Sequence, residues 1–207
     1  MSPRPYRLGQ RQMITEQTRT RILAAARELL MERSGFSSFS LDAVARQADV
    51  ARMTVYHQFG SKIGLLEALC DSLAAYGGIE QLAAAFRRPD PLEALDDYIG
   101  VFGRFWDSDR LVTRRLRGLA ALDPDFEQVI RARDDRRREG LRVLVQRIVK
   151  QRGHPDPEAL DEMVDVLYAL LSFKYFETLA GPARRLEDVV PLVCRLAHAA
   201  LGLDKKA

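Results

Sequence analysis

The sequence has few of the residues that build metal centres and disulfide frameworks. Its 207 residues include two cysteines, three histidines and one tryptophan. His57, His154 and His198 are scattered along the chain, without a glutamate or cysteine at ligand spacing, and therefore predict no metal site. Cys70 and Cys194 fall on predicted helices and form no disulfide framework, so a reducing cytoplasm is the expected setting.

Long hydrophobic runs are also missing. No apolar stretch reaches the roughly 18 residues that a membrane span needs, and residues 1–12 lack the apolar segment of a secretory signal. The chain has no nucleophile–base pair, metal-ligand spacing or glycine-rich phosphate loop that would indicate an enzyme, and we expect no cofactor. With 47% apolar and 29% charged residues, the composition is that of an ordinary soluble globular protein.

Charge is distributed unevenly along the chain. The net charge is +3, but residues 1–62 contain ten Lys/Arg against five Asp/Glu, a balance of +5 that leaves −2 for the remainder. A basic first third on a nearly neutral body favours a polyanionic partner for that third. Many solvated surfaces are also basic, so this feature alone does not separate the two interpretations.

The spacing of apolar residues predicts an all-α protein of about nine helices, without strand alternation or an internal repeat. Residues 1–14 have no periodicity and predict a flexible basic arm. Apolar residues cover more than one side of the helix at 158–180, which indicates burial on more than one side. We expect the helix at 62–86 to bend at Gly77-Gly78. The predicted helices are 16–33, 41–48, 52–57, 62–86, 92–107, 109–120, 124–152, 158–180 and 187–203.

Residues 39–58 predict a helix-turn-helix, in which two short helices are joined by a tight turn. Small apolar residues are needed where the helices cross, and Ala45, Ala48 and Val50 supply them. Val55 and Phe59 would anchor the second helix to the core. A second helix of this kind presents its N-terminal residues to the major groove of DNA. Its outward side is expected to carry Arg52, Met53, Thr54, Tyr56, His57 and Gln58.

This stretch resembles the DNA-binding domain of the tetracycline-repressor (TetR) family. The family pattern has a Ser/Thr cap, a hydrophobic helix, a small-residue turn, and a second helix with Tyr-x-x-Phe-x-Ser/Asn-Lys before a Leu-Leu pair. The residues that match in order and spacing are Ser40, Ala45, Ala48, Val50, Tyr56, Phe59, Ser61, Lys62, Leu65 and Leu66. The basic first helix and the helical region after the motif also match, so the resemblance covers the whole architecture.

The motif departs from the family pattern at three places. Asp49 stands where glycine is usual, at a position that often needs a positive φ, which Asp tolerates better than most residues. Ala51 replaces the usual serine and removes a side-chain N-cap worth about 1 kcal/mol. Ile63-Gly64 replaces a glutamate and a variable residue.

The resemblance implies roles for individual residues. Tyr56 and Lys62 correspond to positions that contact DNA phosphates, and His57 is expected at the DNA backbone as well. Arg52 and Met53 are expected to read bases, because arginine pairs with guanine and methionine can contact a thymine methyl. The full expected set includes two hydroxyl donors for phosphates or base edges, and consists of Ser40, Arg52, Met53, Thr54, Tyr56, His57 and Lys62.

Aromatic residues in the second part of the chain are ordinarily core residues, but the resemblance implies a ligand pocket there, and the sequence leaves both interpretations open. Such a pocket would suit an apolar or aromatic molecule, oriented by a few polar groups. The basic run at 131–138 is interleaved with acids and predicts a solvated helix. The expected lining of the pocket is Tyr98, Phe102, Phe105, Trp106, Arg114, Met163, Leu167, Tyr168 and Phe173.

The sequence therefore predicts a flexible arm at 1–14, a helix-turn-helix domain at 15–61, and a ligand-binding and dimerisation domain at 62–207. The resemblance implies a homodimer through the last two helices, which binds palindromic double-stranded operator DNA and is released by a small, largely apolar effector. No membrane partner is expected. The alternatives are a ligand-binding protein or enzyme on the same helical scaffold, or a DNA-binding protein without an effector.

Overall fold

The computed structural model describes the backbone of residues 4–32, 39–152 and 157–202 and the side chains of 13–32, 39–151 and 159–202. All regular secondary structure in these ranges is helical, which confirms the predicted fold class. The α-helices are α1 (Arg4–Met31), α2 (Leu41–Gln47), α3 (Arg52–Phe59), α4 (Lys62–Tyr76), α5 (Leu82–Phe86), α6 (Pro91–Ser108), α7 (Arg110–Ala120), α8 (Pro124–Arg152), α9 (Pro157–Leu170), α10 (Phe173–Ala180) and α11 (Val190–Ala200), with 3-10 turns at Ile79–Gln81 and Glu187–Val189.

The described ranges hold eleven α-helices and not nine, because two predicted helices are each divided. The helix predicted at 62–86 ends at Tyr76, since Gly78 has a φ of +76°, and a 3-10 turn leads on to α5. The helix predicted at 158–180 is broken at 171–172. Ser172 accepts a hydrogen bond from the backbone N–H of Tyr175 at 3.2 Å and so begins α10.

Helix α1 is longer than predicted. It begins at Arg4, so the prediction of an arm without regular structure is wrong for residues 4–14, while residues 1–3 lie outside the described part of the chain. Pro5 lies in the first turn, where its missing N–H removes no intrahelical hydrogen bond. The stripe that anchors the rest of the helix is buried as predicted, and consists of Ile22, Ala25, Ala26, Leu29 and Leu30.

The chain divides into two compact units. The first comprises Met1–Ser72 and Leu111–Glu127, and the second comprises Leu73–Arg110 and Gln128–Ala207. The predicted boundary between residues 61 and 62 does not coincide with this division. Most of α4, nearly all of α7 and the first turn of α8 belong to the same unit as the helix-turn-helix.

The first unit has its own apolar core. Side chains with no solvent exposure come from α1 through α4 and also from α7 and the start of α8; they are Ile22, Ala26, Leu30, Val44, Val55, Leu65, Leu66, Val112 and Phe126. Arg115 on α7 donates hydrogen bonds to the carbonyls of Leu30 and Glu32 at the end of α1. These carbonyls have no partner within the helix, so Arg115 satisfies them.

The core of the second unit is built around α6 and α8. Leu95 and Ile99 on α6 are fully buried, as are Leu141 and Leu144 on α8. Asp90 caps α6 by accepting hydrogen bonds from the N–H groups of Leu92 at 2.7 Å and Glu93 at 3.1 Å. Helices α9, α10 and α11 complete this core with Val164, Leu167, Phe176, Val193 and Ala197.

Candidate nucleic-acid interface

Helix α3 is anchored on one side and presents polar and bulky residues on the other. Val55 has no solvent exposure and holds the helix to the core. Met53 and Tyr56 are 56% and 52% exposed, which suits contact with a partner better than internal packing. Arg52 and His57 are exposed beside them, whereas Thr54 is half-buried.

The turn between α2 and α3 has the backbone conformation that the sequence predicts. Asp49 has a φ of +50°, and no other non-glycine residue among those described has a positive φ. The N–H of Val50 donates to the carbonyl of Ala45 at 3.0 Å and closes the turn. Ala51 gives α3 no side-chain cap, which confirms the predicted loss. The first turn of α3 relies on backbone bonds from Thr54 and Val55 to the Ala51 carbonyl.

Ser40 caps a helix in addition to its predicted contact with DNA. Its Oγ accepts a hydrogen bond from the N–H of Ala43 at 3.2 Å and caps α2. The hydroxyl proton is still available to donate. Its contact with DNA stays a prediction.

Lys62 stands at the first position of α4, and its side chain is 38% exposed. Its Nζ lies 3.6 Å from Oδ2 of Asp123. Asp123 precedes α8, and its Oδ1 accepts a hydrogen bond from the N–H of Phe126 at 3.4 Å. A DNA phosphate at Lys62 would therefore compete with a carboxylate of the same unit.

Arg52 also has an acidic neighbour. Its Nη1 lies 3.4 Å from Oδ2 of Asp42 on α2, and the two side chains are 65% and 50% exposed. Exposed ion pairs of this kind contribute about 0–1 kcal/mol. The pair can therefore open at little cost.

Arg19 on α1 is a residue that the sequence reasoning did not single out. Its Nη1 donates to the carbonyl of Gln58 at 3.3 Å, and its guanidinium lies 4.6 Å from the centre of the Phe59 ring. These contacts tie the end of α3 to α1. The sequence could have indicated this role through spacing, because position 19 falls on the same helix face as the buried Ile22 and Ala26.

A second candidate site lies in the core of the second unit. Consecutive rings are in contact along α6: Tyr98 and Phe102 at 5.0 Å between centroids, then Phe102 and Trp106 at 5.8 Å. Trp106 also contacts the ring of Phe173 at 5.7 Å. The structure brings eight of the nine predicted pocket residues into one cluster, which we call the aromatic cluster: Tyr98, Phe102, Phe105, Trp106, Met163, Leu167, Tyr168 and Phe173.

Arg114 is not part of the aromatic cluster, and its inclusion in the predicted pocket is wrong. It lies on α7 in the first unit and is exposed. Helix α7 places its neighbour Arg115 on the end of α1. Periodicity indicates which face of a helix is apolar but not which unit the helix joins, and this is why the assignment failed.

Two polar atoms of the aromatic cluster are bound to backbone carbonyls. The Tyr98 hydroxyl donates to the carbonyl of Arg137 at 2.9 Å, and the Trp106 indole N–H donates to the carbonyl of Leu171 at 3.1 Å. Burial raises the pKa of Tyr98 above its usual value, and the charge of Arg137 offsets this only in part. Tyr98 is therefore a neutral hydrogen-bonding group at physiological pH.

The prediction of a solvated helix at 131–138 is wrong at Arg137, which is 4% exposed. Arg138 forms an ion pair with Asp165 on α9, and Arg142 pairs with Asp161 at 2.6 Å. Position 137 lies four residues before Leu141 and belongs to the inward face of α8. Because most residues from 131 to 139 are charged, the sequence pattern did not show that position 137 shares the apolar face of Leu141.

Cys194 on α11 is partly buried, and burial followed by the nearby carboxylate of Asp96 raises the pKa of its thiol to about 12. The thiolate is the reactive form of cysteine. The Cys194 thiol therefore stays protonated, and weakly reactive, at neutral pH.

Two negative findings apply to the part of the chain that the structure describes. No three His, Cys, Asp or Glu side chains there are grouped so that they could hold a metal ion. No helix there is both long enough and apolar enough to cross a membrane.

Known proteins resemble this chain in the sequence of its helix-turn-helix region or in its fold. Residues 22–69 match the bacterial regulatory proteins of the tetR family. Over 72 residues the chain is 40% identical to the HTH-type transcriptional regulator UidR of Escherichia coli K12. The aligned segment is 35% of this chain and 34% of that protein. The chain thus matches about a third of the length of its curated relatives.

Solved structures share the fold over most of the chain. The TetR family transcriptional regulator PfmR of Thermus thermophilus is 24% identical, with a TM-score of 0.64 over 85% of this chain and 96% of that chain. A Saccharomonospora viridis protein in complex with choline is 18% identical, with a TM-score of 0.65 over 91% of this chain and 97% of that one.

The fold and the interface define an all-helical protein that carries a helix-turn-helix domain near its N-terminus. Within that class, residues 22–69 form a domain of the tetR family of bacterial regulatory proteins, and the chain as a whole shares its fold with solved TetR family regulators. The resemblance seen in the sequence is confirmed.

Proposed function

We propose that this chain is a transcription regulator that binds a palindromic operator in a sequence-specific manner, as a homodimer, and releases it when a small molecule binds. The observation that carries the proposal is the outward face of α3, where Arg52, Met53 and Tyr56 are exposed on a helix anchored by Val55. A recognition helix requires this division between an anchored side and a reading side.

The residues of the interface divide into two functions. Lys62 and Tyr56, with His57, contact phosphates and position the domain, a contribution that does not depend on base sequence. Arg52 and Met53 at the front of α3 read base edges, where a bidentate arginine–guanine pair contributes about 1–3 kcal/mol of discrimination. The hydroxyls of Ser40 and Thr54 supply further donors.

Dimerisation uses the last two helical segments, α9–α10 and α11. Val166 on α9 is 40% exposed, and Leu170 one turn later is partly exposed. On α11, Leu192 and Leu196 are partly exposed at a spacing of four residues. Such stripes suit a helix-to-helix contact with a second copy. A two-fold dimer would set two recognition helices about 34–36 Å apart, one DNA turn.

The aromatic cluster is the place in this chain where a small molecule would bind. Its rings offer apolar contact, and Tyr98 and Tyr168 add polar atoms. The fold holds choline in the Saccharomonospora viridis protein, which supports a small-molecule effector here. Ligand-induced loss of DNA affinity typically corresponds to 1–3 kcal/mol of coupling, and repression relieved by ligand is the mode that we propose.

Selection from a random-sequence duplex pool, followed by footprinting, tests the proposal. We expect one inverted repeat and a steep loss of affinity with salt. Lys62→Ala should weaken binding to all sequences alike and reduce the salt slope by about one. Arg52→Ala should relax preference at one or two operator positions while the rest of the motif stays unchanged.

Lys150→Ala is the matched control for Lys62→Ala, because it removes the same charge from an exposed site on α8 in the second unit. It should leave both affinity and salt slope near the wild-type values. Selection of no discrete motif by the wild-type protein would contradict the proposed function. A changed motif in Lys62→Ala would contradict the phosphate role alone.

A further inference from the structure

Arg137 is a charged residue in an apolar core. The residue is 4% exposed, and no other Lys or Arg with a described side chain is as deeply buried. It lies on the inward face of α8, four residues before the fully buried Leu141. An arginine stem can usually carry its guanidinium to solvent, but here the head group lies inside the second unit.

The guanidinium of Arg137 lies among the rings of the aromatic cluster. Its central carbon is 4.6 Å from the ring centre of Tyr168, 5.7 Å from that of Trp106 and 5.9 Å from that of Phe102. Aromatic faces stabilise a cation at these distances. The three rings come from α6 and α9, so the cation is surrounded from two helices.

The backbone at Arg137 is also held in place. The Tyr98 hydroxyl donates to its carbonyl at 2.9 Å. Gly140, one turn on, makes this possible, because a Cβ there would lie 2.5 Å from the Tyr98 hydroxyl oxygen. The close packing of α6 against α8 therefore fixes the position of the Arg137 backbone, from which the guanidinium reaches the rings.

Asp134 supplies a counter-charge to Arg137. Nη2 lies 3.4 Å from Oδ1 of Asp134, three residues earlier on the same helix, and the Asp134 side chain is 18% exposed. A buried ion pair rarely stabilises a fold better than apolar residues of the same size would. Stability alone therefore gives no strong reason for a cation in this core.

We propose that the effector of this protein is a carboxylate attached to an aromatic or aliphatic body, and that Arg137 binds its carboxylate. This inference rests on the proposed function, since it names the ligand class of the regulator's effector site. The planar guanidinium matches a carboxylate with two parallel hydrogen bonds, while Phe102, Trp106 and Tyr168 contact the apolar body. The carboxylate of the ligand would replace that of Asp134 as the partner of Arg137, and the partly exposed Asp134 side chain would turn toward solvent.

This assignment also excludes a class of ligands. A cationic molecule would meet the fixed positive charge of Arg137, so the site disfavours it. A neutral apolar molecule would leave the guanidinium without a new partner. The charge of Arg137 thus selects anionic molecules.

Trp106 provides the readout, because it is the only tryptophan of the chain and lies 5.7 Å from the Arg137 guanidinium. The 207-residue protein is titrated with arylalkyl carboxylates from phenylacetate to 4-phenylbutyrate and with hexanoate to dodecanoate. Each is compared with its own primary amide, which has the same size but no charge. We expect at least one carboxylate to bind ten times or more tightly than its amide, measured by Trp106 fluorescence and by calorimetry.

Arg137→Met keeps most of the side-chain volume and removes the charge, so it should fold and lose the tenfold carboxylate preference. Arg137→Lys should keep part of the preference, since a lysine has the charge without the planar fork. Arg138→Met is the matched control. It removes a neighbouring charge that pairs with Asp165 and should keep the full preference.

Three results would overturn the inference: equal binding of each carboxylate and its amide, an undiminished preference in Arg137→Met, or no response of Trp106 to any carboxylate of the series. Duplex binding is measured on the same samples without ligand. Normal, salt-dependent DNA binding together with any of these results refutes the ligand class and leaves the proposed function intact. Carboxylate binding without DNA binding refutes the proposed function alone.

Discussion

At the scale of the residue, Gly64 shows how one small side chain shapes the interface. A Cβ at this position would lie 2.1 Å from the carbonyl oxygen of Phe59, and a backbone atom cannot move aside cheaply. The absence of a side chain therefore lets the start of α4 approach the end of α3. The departure from the family pattern at Ile63-Gly64 has this structural consequence, which the sequence alone did not reveal.

We predict that Gly64→Ala destabilises the protein by about 1–3 kcal/mol, the usual cost of overpacking. Thermal unfolding followed by circular dichroism measures the change. Gly100→Ala is the matched control, because its Cβ would meet only Arg104 Nη1, at 3.5 Å. In the interior of α6 this alanine should stabilise by about 0.5–1 kcal/mol. Equal effects of the two substitutions would contradict the close approach at Gly64.

Other residues of the interface were predictable because their causes are local. The positive φ of Asp49 and the missing cap at Ala51 both follow from the identity of a residue in a short turn. Arg19 and Arg137 were not predictable in the same way. Their partners lie on other helices, and only the packing of those helices shows whether a basic side chain is solvated or enclosed.

At the scale of the element, α4 and α8 each begin in the first unit and continue into the second. Lys62 and Asp123 stand at the two helix starts, with 3.6 Å between Nζ and Oδ2. The residue proposed to hold a phosphate is therefore paired with a carboxylate of its own unit.

Asp123→Asn should raise affinity for duplex DNA of any sequence by up to about fivefold, equivalent to about 1 kcal/mol, the upper value for a surface ion pair. Asparagine also caps helices well, so α8 should keep its start. Fluorescence anisotropy with a random-sequence duplex measures the gain. The gain in affinity should disappear in a Lys62→Ala background, because there is then no ammonium for Asp123 to hold away from DNA.

Asp125→Asn controls for net charge, because it removes an exposed acid two residues further along α8. Its effect on affinity should be smaller and the same with or without Lys62. If the two asparagine variants behave alike in both backgrounds, the gain is a general charge effect and the Lys62–Asp123 pair does not control binding.

The division of the helix predicted at 158–180 also belongs to this scale. The sequence shows apolar residues on more than one side, and a single straight helix would need two partners to bury them. The break at 171–172 instead lets α9 and α10 each turn an apolar face to the same core, with Leu167 and Phe176 fully buried. The apolar surface that α9 leaves exposed is therefore a narrow stripe that includes Val166.

At the scale of the whole molecule, the proposed dimer depends on that stripe. Val166→Asp should weaken dimerisation by about tenfold or more, because it places a charge in an apolar contact. Light scattering coupled to size-exclusion chromatography measures the mass across a concentration series. Val143→Asp is the control, since Val143 on α8 is 39% exposed against 40% for Val166. Loss of the dimer in Val143→Asp and not in Val166→Asp would place the interface elsewhere.

The sequence by itself determined the helical class, the helix-turn-helix and its division into anchored and outward residues. These depend on periodicity, caps and turn residues that act within a few positions of one another. Only the tertiary structure decided that α7 belongs with the helix-turn-helix unit, that Arg115 caps α1 and that Lys62 faces Asp123. It also decided that Arg137 lies among aromatic rings. The physical reason is that a charged side chain is defined by partners distant in sequence, and no local pattern encodes them.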